Sequence, residues 1–138
     1  LNVEDYTVSV DALLEQGNGY GLFFRANDRN VNGYTFQYDP GYGRPGAFIF
    51  RRWINGREMS PFRPYQSAPD GYQWYGTKRR VEIQVRGNEL TARIDGQVVA
   101  RVNDDAEPPV PVYNDGTVGL RTWSNTVVCF DNFQVTIP

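Results

Sequence analysis

A chain of 138 residues with 14 basic against 16 acidic side chains has the size of one domain, enough to bury roughly two-thirds of its unfolded surface without a metal or disulfide. The balanced charge gives no footprint for nucleic acid, and the absence of histidine removes the commonest general base and transition-metal ligand. No stretch approaches the roughly 20 consecutive apolar residues that cross a bilayer, so membrane insertion of this segment is not expected.

The chain begins without Met or a signal-like apolar run, so Leu1 reads as a processed or trimmed end. VEDYTVSVDALL then sets Val3, Tyr6, Val8, Val10 and Ala12 in near alternation, as a half-buried strand requires. Gly17-Asn18-Gly19 breaks the run. GYGLFFRA and YTFQYD follow on either side of an Asn/Asp-rich turn, and the Gly/Pro-rich DPGYGRPG leads to AFIFRRWI. Asn55-Gly56 favours a tight hairpin. Residues 57–76 carry three prolines without periodicity and are expected to be the longest loop.

The second half is more regular. VEIQVRG, ELTARID and GQVVARV are joined across Gly87-Asn88 and Asp95-Gly96, which predicts a three-stranded meander. A linker leads to TVGLRTW and then to VVCFDNFQVTI. In this last apolar run Cys129, the single cysteine, is expected to be buried. Nine to eleven strands and no helical period make the chain all-β, a single sandwich or jelly-roll domain over residues 1–138.

The order GYGLFFRA, NGYTFQYD, a strand with paired arginines, KRRVEIQVRGNELTARIDGQVVARV, GTVGLRTW and FDNFQV resembles the concanavalin A-like (laminin-G-like) jelly rolls over nearly the whole chain. Within them it is similar to bacterial secreted sugar-binding modules, of the levanase fructan-binding and keto-glycoside-hydrolase-like kinds. It also resembles the extracellular β-domains of some prepilin-type proteins. The resemblance implies a two-sheet antiparallel fold with a concave and a convex face, secreted or at the cell surface. One implied partner is an extracellular glycan or polysaccharide; the others are copies of itself or a larger secreted or appendage protein.

Side chains two apart on a strand share a side. Leu22, Phe24 and Ala26 thus oppose Phe23 and Arg25; Tyr34, Phe36 and Tyr38 oppose Thr35, Gln37 and Asp39. If the apolar sets build the core, the remaining sheet surface holds Arg25, Gln37, Asp39, Arg51, Trp53, Arg121 and Trp123. These types suit a sugar, whose edges carry hydroxyls for fork donors and carboxylate or amide acceptors and whose C–H patch lies on an aromatic plate. Arginine, 13 residues against the single Lys78, is the better donor because its rigid fork loses less entropy.

Plainer readings fit the same residues. Arg25 and Asp39 form a cross-strand ion pair, Trp53 and Trp123 pack as satellite core, and Trp74 is either a loop anchor or a ligand plate. Tyr20, Tyr34 and Tyr38 are expected in the core. Catalysis is not expected. The six glutamates are scattered, without the alternating Glu-x-Asp-x-x-Glu strand of retaining glucanases or a Gly-x-Ser-x-Gly elbow. No cofactor is expected beyond at most one structural Ca²⁺, for which Asp104-Asp105 with Asp115, or Asp28 with Asn30, offer hard oxygen ligands.

Overall fold

A computed structural model describes residues 3–27, 29–105 and 111–138. Eleven strands account for its regular structure: β1 Tyr6–Gln16, β2 Tyr20–Asn27, β3 Asn32–Asp39, β4 Ala47–Ile54, β5 Arg57–Pro61, β6 Gln66–Ser67, β7 Lys78–Arg86, β8 Glu89–Ile94, β9 Gln97–Asn103, β10 Thr117–Thr122 and β11 Val127–Thr136. They form two antiparallel sheets in the orders β11-β1-β7-β8-β9 and β10-β2-β3-β4-β5, with β6 paired to β4. This is the two-sheet antiparallel jelly roll that the alternation and the turn spacing predict, with the β7-β8-β9 meander in place.

The core forms where the inward faces of the two sheets meet. Tyr6, Val8, Val10, Val81, Ile83 and Val85 from one sheet face Leu22, Phe24, Tyr34, Phe36, Tyr38 and Phe50 from the other, all essentially without exposure. Each such side chain contributes roughly 1.5–3 kcal/mol by leaving water. Rings meet edge-on at several points, as between Phe24 and Phe50 at 5.8 Å and between Phe36 and Phe50 at 5.5 Å, the arrangement that aromatic quadrupoles favour.

The segment 57–76 is not the long loop expected of it. Asn55 and Gly56 both adopt positive φ, 49° and 77°, the backbone of a two-residue hairpin turn. The turn sets Trp53 opposite Glu58 and Ile54 opposite Arg57, so the chain returns as β5. Beyond it Trp74 is buried, donates from its indole N–H to the Pro45 carbonyl at 2.9 Å, and packs on Tyr38 at 4.7 Å. It is therefore a loop anchor and not a ligand plate.

Cys129 is exposed, contrary to the expectation of burial. In β11 the neighbours Val128 and Phe130 are the residues packed against the core. Strand alternation then turns Cys129 outward, beside Leu13 on β1. The run TVVCF is apolar throughout, but β11 is an edge strand covered on one side alone.

Candidate functional site

Alternation in β2, β3 and β4 leaves one face of the six-stranded sheet pointing away from the core, and the register assembles its residues into rows. Arg121 stands opposite Gly21, Gly21 opposite Gln37, and Thr35 opposite Arg51. Gly21 carries no side chain, and Arg121 reaches across that gap: a Cβ at Gly21 would lie 3.3 Å from Arg121 Cγ. Trp123 likewise lies against Gly19, where an added Cβ would meet its ring at 2.8 Å.

The Arg121 guanidinium ends among three rings. Its Cζ is 4.8 Å from the centre of Trp123, 5.0 Å from Trp53 and 6.0 Å from Phe23, distances at which a cation and a π face attract. Trp53 is itself oriented, by an N–H donated to Thr35 Oγ1 at 3.1 Å and by Phe23 at 5.5 Å. Arg121 approaches the Glu58 carboxylate at 3.8 Å. Its Nη1 is buried without a hydrogen-bond partner among the described residues. Burial pushes this guanidinium below its ordinary value and neighbouring Arg51 adds to the effect, while Glu58 and Asp39 oppose it.

Arg51 is better partnered. Its Nε donates to Gln37 Oε1 and lies 2.9 Å from Glu58 Oε1, and its Nη1 donates to the Met59 carbonyl at 2.9 Å. Tyr42 places its ring 5.4 Å from the Arg51 guanidinium. Asp39, at the end of β3, accepts the Gly41 N–H at 3.0 Å, and burial raises its carboxyl above the ordinary range against the pull of Gly41 and Arg51.

Of the seven residues proposed from sequence, Gln37, Asp39, Arg51, Trp53, Arg121 and Trp123 lie together on this face. Arg25 does not. The pairing of β2 with β3 slips between Phe24 and Asn27, and Arg25 itself takes a φ of 44°, so the bulge turns it inward to 2% exposure. There it donates to the carbonyls of Glu4 at 2.7 Å, Gly87 at 2.8 Å and Tyr113 at 3.3 Å. Its carboxylate neighbours are Asp5 at 3.8 Å and Asp104 at 3.7 Å, so it forms no cross-strand pair with Asp39.

Two members of the cluster escaped the sequence reading. Glu58 was hidden in the supposed loop, although the Asn55-Gly56 turn signal puts it opposite Trp53 once β5 is drawn. Tyr42 sits in the Gly/Pro-rich connection after β3 and has no periodic signal. Among the described residues, no three of the carboxylates considered for calcium gather as a metal cluster. Asp104 is wholly buried and accepts from Tyr34 Oη at 2.8 Å, Asp105 accepts from Asn88 at 2.7 Å, and Asp28 lies outside the described residues.

A two-sheet antiparallel sandwich of this strand order, with a guanidinium beside two indoles on one outer face, is a jelly roll. More closely, residues 2–136 match the 3-keto-alpha-glucoside-1,2-lyase-like domain family, and the chain belongs to that family. Among solved structures, the carbohydrate-binding module CBM66 from Bacillus subtilis superposes with a TM-score of 0.78 at 22% identity, over 97% of this chain and 76% of that one. A toad ovary galectin in complex with N-acetylgalactose gives 0.69 at 10% identity, over 98% and 92% of the two chains. Sheep galectin-11 in complex with glycerol gives 0.67 at 11%, over 96% and 90%. Identities this low establish the shared fold. No curated protein matches the chain significantly. Nothing in the family match or in these structures supports the likeness to prepilin-type domains.

Proposed function

We propose that residues 1–138 form one non-catalytic carbohydrate-binding domain, working outside the cell and holding a glycan against the outer face of the six-stranded sheet. The observation that carries this reading is Arg121. A guanidinium has five N–H donors, yet this one makes no hydrogen bond to a described residue; it lies against Trp53 and Trp123 with its Nη1 buried and unpartnered. A buried donor without an acceptor costs about 1–3 kcal/mol. Ligand hydroxyls or other acceptors, laid over an indole that takes the C–H face of the ring, recover that cost.

The related protein named CBM66 is a carbohydrate-binding module, and a galectin of the same fold is recorded with N-acetylgalactose, which agrees with this reading. The family description carries a lyase-like name. Against catalysis here, the two carboxylates of the cluster are already engaged, Glu58 by Arg51 at 2.9 Å and Asp39 by the Gly41 N–H, so both serve as fixed acceptors.

Titration calorimetry of the purified chain against a panel of oligosaccharides tests the proposal. Trp123→Ala is expected to weaken the glycan that binds by about ten- to a hundred-fold, the cost of losing a central aromatic anchor. The melting temperature should change little, because Trp123 is half-buried and outside the core cluster. A wild-type chain that binds no glycan, together with a Trp123→Ala variant that unfolds, would sink the reading.

A further inference from the structure

We infer that the glycan held by this face is acidic, a chain bearing carboxylate or sulfate groups; this rests on the carbohydrate-binding reading above. The first observation is how charge is distributed. The chain as a whole has a net charge of −2, yet residues 40–66 carry Arg44, Arg51, Arg52, Arg57 and Arg63 against the single carboxylate Glu58. Arg52 is committed inward, donating to the Asp104 carbonyl at 2.6 Å. Glu58 is shared, at 2.9 Å from Arg51 and 3.8 Å from Arg121. Exposed Arg44 and Arg63 have no ion-pair partner among the described residues.

The second observation is that Arg121, Arg51 and Arg63 lie along one track, with tyrosine rings between the last two. From Trp123 and Arg121 the track passes to Glu58, then to Arg51 and to Tyr42 at 5.4 Å. Tyr65 follows, its ring 5.3 Å from that of Tyr42, and Arg63 stands 5.3 Å from Tyr65. Such a track exceeds one sugar ring, so it suits a chain of sugars.

Charge decides between a neutral and an acidic chain. Two guanidinium groups sharing one carboxylate repel each other at close range, and Arg63, beside Tyr65, extends the positive potential along the track. Asp39 and Glu58 together balance Arg51 and Arg121, so the excess positive charge on the track is that of exposed Arg63. Neutral hydroxyls leave the excess uncompensated. A uronate carboxylate or a sulfate ester supplies the missing counter-charge and matches the guanidinium fork.

The test uses oligogalacturonate, the same oligosaccharide fully methyl-esterified, a heparin-derived oligosaccharide and a set of neutral oligosaccharides, titrated into the purified chain at low and high salt. An acidic ligand should bind at least about ten-fold more tightly than the ester, and raised salt should shrink the difference as it screens the track. The heparin arm, which carries sulfates as well as uronate carboxylates, shows whether added sulfate tightens binding beyond that of the carboxylate alone. Replacing Arg63 by Ala should lower the affinity for the acid several-fold more than that for the ester. Equal affinities for acid and ester, or binding confined to neutral sugars, would overturn the acidic ligand and leave the carbohydrate-binding reading standing. Failure of every glycan to bind would overturn both.

Discussion

Arg121 on β10 crosses the bare backbone of its strand partner Gly21 on β2, and the crossing delivers the guanidinium to Trp53 on the far side. A Cβ at Gly21 would stand 2.6 Å from the Phe36 carbonyl oxygen and 3.3 Å from Arg121 Cγ. The first contact is with backbone, which yields only if β2 and β3 shift. Gly21→Ala is therefore expected to cost about 1–3 kcal/mol of stability, as overpacking does, and to displace Arg121 from beside the indoles. Denaturant midpoints and glycan titration on the same sample check both; unchanged stability would show that the sheet absorbs the methyl group.

Arg25 is a structural residue, so its truncation should unfold rather than merely weaken. It closes three backbone carbonyls of separate segments, those of Glu4, Gly87 and Tyr113, and it stands beside the wholly buried Asp104. Arg25→Ala leaves that carboxylate without its cation, a loss of about 3–5 kcal/mol for a broken buried pair. Arg25→Lys should recover little, because one ammonium does not span the three carbonyls. Thermal melts of the two variants discriminate this from a surface role, in which both would melt like the parent. With Asp104 engaged by Tyr34 and Arg25, we also expect EDTA to leave the melting temperature unchanged; a fall would assign a calcium ion to the loop carboxylates.

Exposure of Cys129 predicts that a thiol reagent labels the native chain at a rate within a few-fold of the denatured one. Reaction that becomes measurable only on unfolding would mean that β11 is covered in solution.

The strand pattern was legible where alternation is strict. In β2 and β3 the inward set Leu22, Phe24, Tyr34, Phe36 and Tyr38 reads directly from every second residue, and the outward set Gln37 and Asp39 follows from the same rule. It fails at Arg25, because a bulge adds a residue to one strand and nothing in GYGLFFRA announces it. It gives no answer at Cys129, where a uniformly apolar run lacks the polar residues that would mark the outer side. Glu58 was legible in principle, through the hairpin at Asn55-Gly56, but the three prolines that follow made the return strand look like loop. Tyr42 and Tyr65 come from connections without period, and only the folded chain brings their rings together.

Asp39 gives the domain a pH dependence of definite sign. Burial raises its carboxyl, and the Gly41 N–H and Arg51 oppose that rise without cancelling it. The folded chain then holds a proton that the unfolded chain has already released, so it binds more protons than the unfolded chain in that window, and stability falls as pH rises. The contribution is fully present below the ordinary carboxylate value and is lost on passing through the raised one. Asp104, raised in the same way by burial, adds to the slope, whereas Asp11, lowered chiefly by its hydrogen bond from Asn132, acts in the opposite sense. Comparison of the parent with Asp39→Asn isolates the one group, since the amide oxygen still accepts the Gly41 N–H while the charge is gone. The variant is expected to melt at or above the parent's temperature at neutral pH and to show a flatter profile through the acidic range. Parallel profiles would mean that Asp39 titrates as an ordinary surface carboxylate and that water reaches the floor of the cluster beside Arg51.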